Sequence, residues 1–393
     1  MRSIEILKDK LADGFEFLHA KRQAALWRTV EALARGGRLW LTALGRDMRG
    51  PAQEKHRIKA VDRLLGNPAI HAGLPRLNRA LAHFLLRRIA RPVLLVDWTG
   101  CGPDQYLLRV GLPFKGRSIL LHGVVVEHAE LASPAVHATF LKDLAAILPT
   151  SCRPIVVTDA GFFYHWFAQV TDLGWDFVGR IRGNYHLRVH GQKMAIRQVY
   201  ELATRRPIDL GVGEVGANRR IPRRLVLSGK PKQRQKPRKR LTRRGKKRRS
   251  HAARNYSRAS KEPQLLATSL RCSAKEVVAI YATRMQIEES FRDLKSHRFG
   301  WDFSSARSKK HNRLETLLMI ATLATIAVLM IGTAAEDRKL ERQFQANTVR
   351  KRRVLSLFSL GRRVVNAGIE LTTHELCNAL ANIALSLRSE PAK

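Results

Sequence analysis

Four polar residues between positions 281 and 295 are spaced so that a helix would place them on one face. At about 100° per residue they fall within an arc of roughly 60°; they are Tyr281, Arg284, Glu288 and Lys295. The phenol and the two cationic side chains can bind anionic groups, and the carboxylate can help to bind a cation. The adjacent acid, Glu289, would project about 100° away from this face. The spacing therefore favours Glu288 as the functional acid, with a neighbouring apolar stripe that seats the helix on a core.

Two further acids end short aliphatic runs. Pro92–Asp97 and Pro154–Asp159 read as buried strands, and open α/β sheets bind ligands at the carboxyl ends of their strands. If the two strands are parallel neighbours, Asp97 and Asp159 lie side by side, and Glu288 supplies a third carboxylate. Three converging acids need a shared cation, and oxygen ligands favour Mg²⁺ or Mn²⁺. Two such ions support displacement at a phosphodiester. Taken singly, an acid at a strand end is more often a cap or a turn residue.

The charge balance narrows the class of partner. The chain has 393 residues with 72 Lys and Arg against 32 Asp and Glu, a formal net charge of +40. Such a chain attracts polyanions, and double-stranded DNA is favoured over an anionic membrane surface. One tract, residues 230–249, contains many Lys and Arg and no acid. It cannot form a core, so residues 230–254 are predicted to be an exposed basic loop.

A basic helix is predicted in the N-terminal region, from Gln53 to Leu65, after a turn at Gly50-Pro51. Its basic residues are Lys55, Arg57, Lys59 and Arg63. A helix, a short turn and a basic helix can form a unit that reads a DNA groove. A solvated basic face on an ordinary helical bundle has the same pattern.

Secretion and membrane insertion are not favoured by the sequence. The first ten residues lack the apolar run of a signal peptide, and the four cysteines form no C-x-x-C pair. Residues 316–333 carry no charge. They are predicted to form a helix buried in a large core rather than a membrane span. We expect a cytoplasmic protein with reduced thiols.

The order of patterns predicts an α/β fold. Strands are expected at Gln105–Val110 and Ser118–Glu127, with residues 111–116 as their connection, and a helix follows at Ser133–Leu148. Together with the two acid-ending runs, these elements predict a mixed sheet flanked by helices.

The 281–295 segment resembles the signature of the insertion-sequence-four family of DDE transposases. That signature is Tyr, two residues, Arg, three residues, Glu, six residues, Lys, and every spacing is matched here. The surrounding sequence is most similar to the subgroup that contains the transposon-ten insertion-sequence transposase. The resemblance covers nearly the whole chain. It also includes the segments Asp62–Asn67, Val96–Trp98, Thr158–Phe162, Lys261–Pro263 and Phe344–Arg350.

The resemblance implies an RNase H-like mixed-sheet catalytic core that performs cut-and-paste transposition with two divalent ions. By motif position, Asp97, Asp159 and Glu288 would be the catalytic, metal-binding triad, while Tyr281, Arg284 and Lys295 would bind DNA phosphates. The implied partners are transposon-end and target DNA, with a homodimer in the DNA complex. The implied setting is the bacterial cytoplasm, at the nucleoid when bound to DNA.

The predicted domain layout follows from the same resemblance. Residues 1–88 would be a helical DNA-binding domain, and residues 89–183 with 271–335 the catalytic core. Residues 184–270 would form a β-rich insertion, and residues 336–393 a helical C-terminal region.

One position departs from the family pattern. Gln264 stands where relatives have an aromatic residue associated with holding a flipped base during hairpin formation. Base stacking is worth roughly 1–3 kcal/mol, so hairpin handling would be weaker, or another aromatic such as Tyr256 would replace it. Two other functions stay open: a nuclease of the same fold without strand transfer, and a catalytically inactive DNA-binding protein derived from a transposase.

Overall fold

The computed structural model describes residues 1–162, 164–183, 186–189, 191–215, 221–229, 262–346, 348–349 and 352–387. The predicted basic loop and Tyr256 lie outside these residues. The described strands are β1 Val93–Gly100, β2 Gln105–Phe114, β3 Arg117–Glu127, β4 Ile155–Thr158, β5 Asp176–Ile181, β6 His186–Val189, β7 Gln192–Ala195, β8 Ile208–Val215, β9 Ile221–Leu227 and β10 Leu265–Thr268.

The described helices are α1 Arg2–Lys10, α2 Ala12–Phe15, α3 Ala20–Ala34, α4 Leu41–Asp47, α5 Glu54–Leu65, α6 Pro68–Leu86, α7 Pro134–Ile147, α8 Tyr164–Asp172, α9 Ile196–Glu201, α10 Ala274–Ala282, α11 Met285–Lys295, α12 His311–Asp337, α13 Glu341–Phe344, α14 Leu357–Asn366 and α15 Thr373–Ser386. The mixed α/β class predicted from the sequence is confirmed.

The chain divides into two compact units. The first comprises Met1–Ile155 and the described residues from Thr283 onward, and the second comprises the described residues within Val156–Ala282. This division cuts through both segments of the predicted catalytic core, residues 89–183 and 271–335. The predicted domain layout therefore stays a prediction.

Helix α12 forms the centre of the first unit. It is long and apolar enough to cross a membrane, but 94% of its most apolar 18-residue window is buried. Helices α3, α14 and α15 and strand β3 pack against it. The interpretation of residues 316–333 as a buried core helix is confirmed. Burial on every side explains why this helix carries no polar face.

Two glycines let α12 and α14 approach each other closely. A Cβ atom added to Gly332 would lie 2.0 Å from the carbonyl oxygen of Leu357, and one added to Gly361 would lie 2.1 Å from that of Val328. No side chain fits at either position without moving backbone. At these two positions the helices therefore approach each other through main-chain atoms.

Strands β1, β2 and β3 form an antiparallel sheet in the first unit, and Asp97 of β1 lies opposite Arg109 of β2. The predicted connection at residues 111–116 is wrong, because β2 continues through Phe114 and only Lys115 and Gly116 make the turn. Both turn residues have positive φ, 42° and 86°. Two-residue hairpins of type I′ require this conformation.

Helix α11 lies over this sheet and contacts all three of its strands. The backbone N–H of Ser118, on β3, donates to Oγ of Ser290, on α11, at 2.6 Å. Oγ of Ser290 in turn lies 3.1 Å from the carbonyl oxygen of Ser118, to which it donates. The reciprocal bonds fix the helix against the sheet edge.

The second unit is a sheet with helices against it. Its strands are ordered β4-β5-β10-β9-β8-β6-β7, with antiparallel pairing from β5 through β7. Helix α8 packs on β5, and α10 packs on β5 and β9. Strands therefore do occur on both sides of the undescribed basic loop.

A half-buried histidine gives the first unit a pH-dependent stability. The ring of His122 stacks on Phe140 with centroids 5.3 Å apart, and burial lowers its pKa from 6.5 to about 4, with a further contribution from the nearby Arg109. Between these two values the unfolded chain binds more protons than the folded one. His122 therefore contributes stability at neutral pH that is lost as pH falls from 6.5 towards 4.

We predict that His122→Asn flattens the pH dependence of the free energy of unfolding. The slope between pH 4.5 and 6 should fall by up to about 1.4 kcal/mol per pH unit, measured by urea unfolding at several pH values. Asp293, whose pKa burial raises to about 6, acts in the opposite direction but is common to both proteins. The exposed His56→Asn is the control. An unchanged slope in His122→Asn would contradict the assignment.

Candidate functional site

Strand β1 and helix α11 bring three of the predicted site residues together. The guanidinium of Arg284, the residue that precedes α11, lies between two carboxylates. Its Nη1 is 3.4 Å from Oδ2 of Asp97, and its Nη2 is 2.5 Å from Oε1 of Glu288. The side chains of Arg284 and Asp97 are only 12% and 11% exposed. The pair is therefore partly removed from water, where charge interactions are stronger than at the surface.

Asp97 is held in place from its other side as well. Its Oδ1 accepts a hydrogen bond of 2.8 Å from the backbone N–H of Trp98. The indole N–H of Trp98 in turn lies 3.3 Å from Nε2 of His137. Burial lowers the pKa of His137 to about 4, so its ring is neutral at pH 7 and can accept this bond.

Lys295 reaches the same strand from the far end of α11. Its Nζ donates to Oγ1 of Thr99 at 2.6 Å and approaches the carbonyl oxygen of Gly100 at 3.4 Å. Burial lowers the pKa of Lys295, while Cys101 and Asp97 oppose the shift. Burial also raises the pKa of the Cys101 thiol to about 11, so that thiol is not a nucleophile at neutral pH.

Thr99 was not among the predicted site residues. It stands two positions after Asp97, and alternate residues of a strand share one face. This spacing could have identified Thr99, but threonine is common in strands, so its presence alone does not indicate a functional residue.

The structure separates the two adjacent glutamates of α11. Glu288 faces Arg284, whereas Glu289 is bonded to Arg292 and lies 4.0 Å from Arg117. Arg117 also pairs with Asp293 of the same helix. Glu289 therefore belongs to an ion-pair group that joins α11 to β3.

Two predicted site residues belong to the second unit. Asp159 follows β4, and its Oδ1 accepts a hydrogen bond of 2.8 Å from the backbone N–H of Gly161. Tyr281 is buried on α10. Their convergence with Asp97 and Glu288 stays a prediction.

The single helix predicted across residues 281–295 is wrong. The structure has two helices, with a turn at Thr283 and Arg284. At this turn, hydrogen bonds that span three residues replace the regular four-residue bonds of an α-helix. The N–H of Gln286 donates to the Thr283 carbonyl at 2.9 Å, and that of Ile287 donates to the Arg284 carbonyl at 3.2 Å. Such bonds, spanning three residues, are common where an α-helix begins. The break coincides with the boundary between the units.

The oxygen donors of the first unit suit a divalent cation. Asp97 and Glu288 offer carboxylate oxygens, the donors that Mg²⁺ and Mn²⁺ prefer, and they already share one positive group in Arg284. Among the residues that the structure describes, no group of three or more His, Cys, Asp or Glu side chains is placed to hold a metal.

The predicted DNA-binding residues of α5 differ in their surroundings. Lys55, Lys59 and Arg63 are exposed. Arg57 is half-buried, and its Nη1 donates to the carbonyl oxygen of Met48 at 2.6 Å. It thereby links α5 to the end of α4. In the second unit, Gln264 is half-buried. Its carbonyl oxygen accepts from the backbone N–H of Ser228 at 2.8 Å, and its own N–H donates to the side-chain Oγ of Ser228 at 2.6 Å.

A family model described as the transposase DDE domain matches residues 90–326, more than half of the chain. The chain belongs to the transposase DDE domain family. The matched range contains every acid of the triad predicted for this transposase, as well as Arg284 and Lys295.

Other comparisons add little. No curated protein matches the transposase. A solved structure described as "Cryo-EM structure of piggyBac transposase synaptic complex with hairpin DNA" is 11% identical, covering 93% of this chain and 76% of that chain, with a TM-score of 0.43. A score this low supports no conclusion about this chain.

We predict that the Arg284 group is energetically coupled. Arg284→Met leaves two partly buried carboxylates without their shared cation and should lower the free energy of unfolding by about 1–3 kcal/mol. Adding Asp97→Asn in that background should recover part of the loss, measured by urea unfolding at pH 7 as a double-mutant cycle.

The matched control for this cycle is Arg292→Met, on the same helix. Arg292 is 66% exposed in its pair with Glu289, so its loss should cost about 0.5 kcal/mol or less. Strict additivity of Arg284→Met and Asp97→Asn would show that the two side chains do not interact.

Proposed function

We propose that this transposase cuts and joins DNA by metal-dependent phosphoryl transfer, with Asp97, Asp159 and Glu288 as its metal-binding acids. The observation that carries the proposal is the convergence of Asp97 and Glu288 on Arg284. It lies within the range that matches the transposase DDE domain.

Backbone hydrogen bonds in the first unit support the inclusion of Asp159. The N–H of Arg153 donates to the Ala90 carbonyl at 2.7 Å, and the N–H of Ile155 donates to the Pro92 carbonyl at 2.9 Å. Moving two residues along the chain on one side therefore moves the bond two residues along on the other side. This is the hydrogen-bond pattern of two parallel strands. Asp97 follows the segment that supplies the two carbonyls, and Asp159 follows the segment that supplies the two N–H groups.

The proposed cofactor is a pair of Mg²⁺ or Mn²⁺ ions. Bound by the three acids, they would supply Lewis-acid stabilisation of the attacking and leaving oxygens of a phosphodiester. The residues of the chain bind and orient the DNA. Lys295 is held near β1 by Thr99, where its ammonium can bind a backbone phosphate. Arg284 and Tyr281 are proposed to bind neighbouring phosphates.

The proposed reaction is cut-and-paste transposition. Water nicks one strand at the transposon end, and the freed 3′-OH attacks the opposite strand to form a hairpin. Hydrolysis opens the hairpin, and the 3′-OH then attacks target DNA. Each step replaces one phosphodiester oxygen by another, so one site can serve all of them.

Other parts of the proposal concern assembly and setting. The catalytic core is proposed to be RNase H-like with a β-rich insertion, and two chains pair two transposon ends. The primary-amide side chain of Gln264 offers less stacking surface than an aromatic ring, so hairpin handling is proposed to be weak. The proposed location is the bacterial cytoplasm, without membrane association.

We predict that Asp97 and Glu288 are needed for DNA cleavage and that Glu289 is not. With a terminal-inverted-repeat DNA and Mg²⁺, Asp97→Asn and Glu288→Gln should each slow strand cleavage at least ~10³-fold, because several kcal/mol of transition-state stabilisation is lost. Gel analysis of end-labelled DNA measures the rate.

Glu289→Gln is the matched control, since it removes the same charge one residue away. It should cleave within a few-fold of the unchanged protein. An equal loss of cleavage rate in Glu288→Gln and Glu289→Gln would contradict the assignment of the site. Hydrolysis without joining to target DNA would instead identify a nuclease, and DNA binding without cleavage an inactive derivative.

We predict that α5 contributes phosphate contacts. Lys59→Gln and Arg63→Gln should each reduce the slope of log K against log salt by about 0.9, measured by fluorescence anisotropy with duplex DNA. Arg57→Gln should act mainly on stability, because its side chain is bonded to Met48. Slopes identical to that of the unchanged protein would remove α5 from the DNA interface. The same measurement on a variant that lacks residues 230–249 tests whether the basic loop contributes phosphate contacts.

A further inference from the structure

A buried arginine in the first unit has unused hydrogen-bonding capacity. Arg109, on β2, is 3% exposed, and its Nη2 donates to Oγ1 of Thr322 on α12 at 2.9 Å. Within the described part of the chain, no group accepts from its Nε or its Nη1. A buried polar group without a partner costs free energy, and a buried charge costs more.

The guanidinium is charged at neutral pH. Burial lowers the pKa of Arg109 only to about 9, and the described residues include no ion pair to it. Taking one ion out of water is costly unless a partner compensates the charge. A charge kept in this position calls for a counter-charge, and no carboxylate of the described residues lies within ion-pair distance of it.

Arg109 lines a pocket of about 250 Å³ within the first unit, together with His122 and Asn78. Nδ1 of His122 lies 3.2 Å from Nδ2 of Asn78, and its Nε2 is buried with no partner among the described residues. A water molecule occupies roughly 30 Å³ in the liquid. The pocket has room for a small ligand as well as water.

The sheet leaves room for the arginine at this position. Gly123 on β3 lies opposite Arg109, and a Cβ added to Gly123 would lie 2.7 Å from Cγ of Arg109 and 3.2 Å from its Nε. Any larger residue at position 123 would push the guanidinium away. Arg109 can therefore take this position because residue 123 has no side chain.

Two carboxylates of the same pocket limit the ligand. Glu315 accepts from the backbone N–H of Val125 at 3.3 Å, and burial raises its pKa. Burial also raises the pKa of Asp143. Both residues line the pocket and would repel an anion that came close to them. The ligand must be small and must bind close to Arg109 and His122.

We propose that this pocket binds a small oxyanion, a carboxylate or a phosphate, through Nε and Nη1 of Arg109 and the ring of His122. Guanidinium groups match both anions in geometry and charge. Asp97, Arg284 and Glu288 do not line this pocket, and its ligand is not a substrate of the proposed DNA reaction.

The test is isothermal titration of the full chain, without DNA or divalent ions, with sodium acetate and with inorganic phosphate. Ionic strength is kept constant with NaCl. One saturable site per chain is expected for at least one of the two anions, and the preferred anion identifies the chemical class. Arg109→Met should weaken binding at least tenfold.

Two further variants keep the test decisive. Asn78→Asp puts a negative charge beside His122 and should also weaken binding at least tenfold, even if Arg109→Met does not fold. Lys8→Met removes one exposed positive charge elsewhere in the same unit and should bind as the unchanged protein does. No saturable binding of either anion, or equal binding in all variants, would overturn the proposal and leave a water-filled pocket.

Discussion

A helix with no polar face must be covered on every side, and this requirement organises the first unit. Helix α12 is covered by helices from both ends of the chain and by strand β3. β3 pairs with β2, and β2 pairs with β1, which carries Asp97. Helix α11, which carries Glu288, packs on the same three strands. The position of the acids therefore depends on the burial of a helix that contributes none of them.

Periodicity made much of this fold predictable. The uncharged run at residues 316–333 stands alone, contains four Thr and has charged residues on both sides, and the buried core helix was predicted on those grounds. The aliphatic run that ends at Asp97 is a strand, as its composition indicated. The choice of Glu288 over Glu289 followed from helical angles, and the structure turns those two side chains to different partners.

Features that depend on tertiary contacts were not predictable. The turn at Thr283 and Arg284 is marked by no proline or glycine, and the helical pattern runs through it unchanged. The hairpin at Lys115 and Gly116 was hidden by Pro113, which reads as a loop residue although it lies within β2. Arg109 reads as one more surface cation in a chain of 72 Lys and Arg. Only the packing of α12 against the sheet reveals that it is buried.

The position of Arg284 between two carboxylates has a consequence for how the protein is made and stored. Asp97, Glu288, Arg284 and Lys295 carry two negative and two positive charges, so the cluster is neutral without any bound ion. Carboxylates that depend on a metal for charge balance repel one another when the metal is removed. Here Arg284 supplies a counter-charge to both carboxylates, so we expect this unit to fold without a bound divalent ion. A chelator would then leave the folding of this unit unchanged.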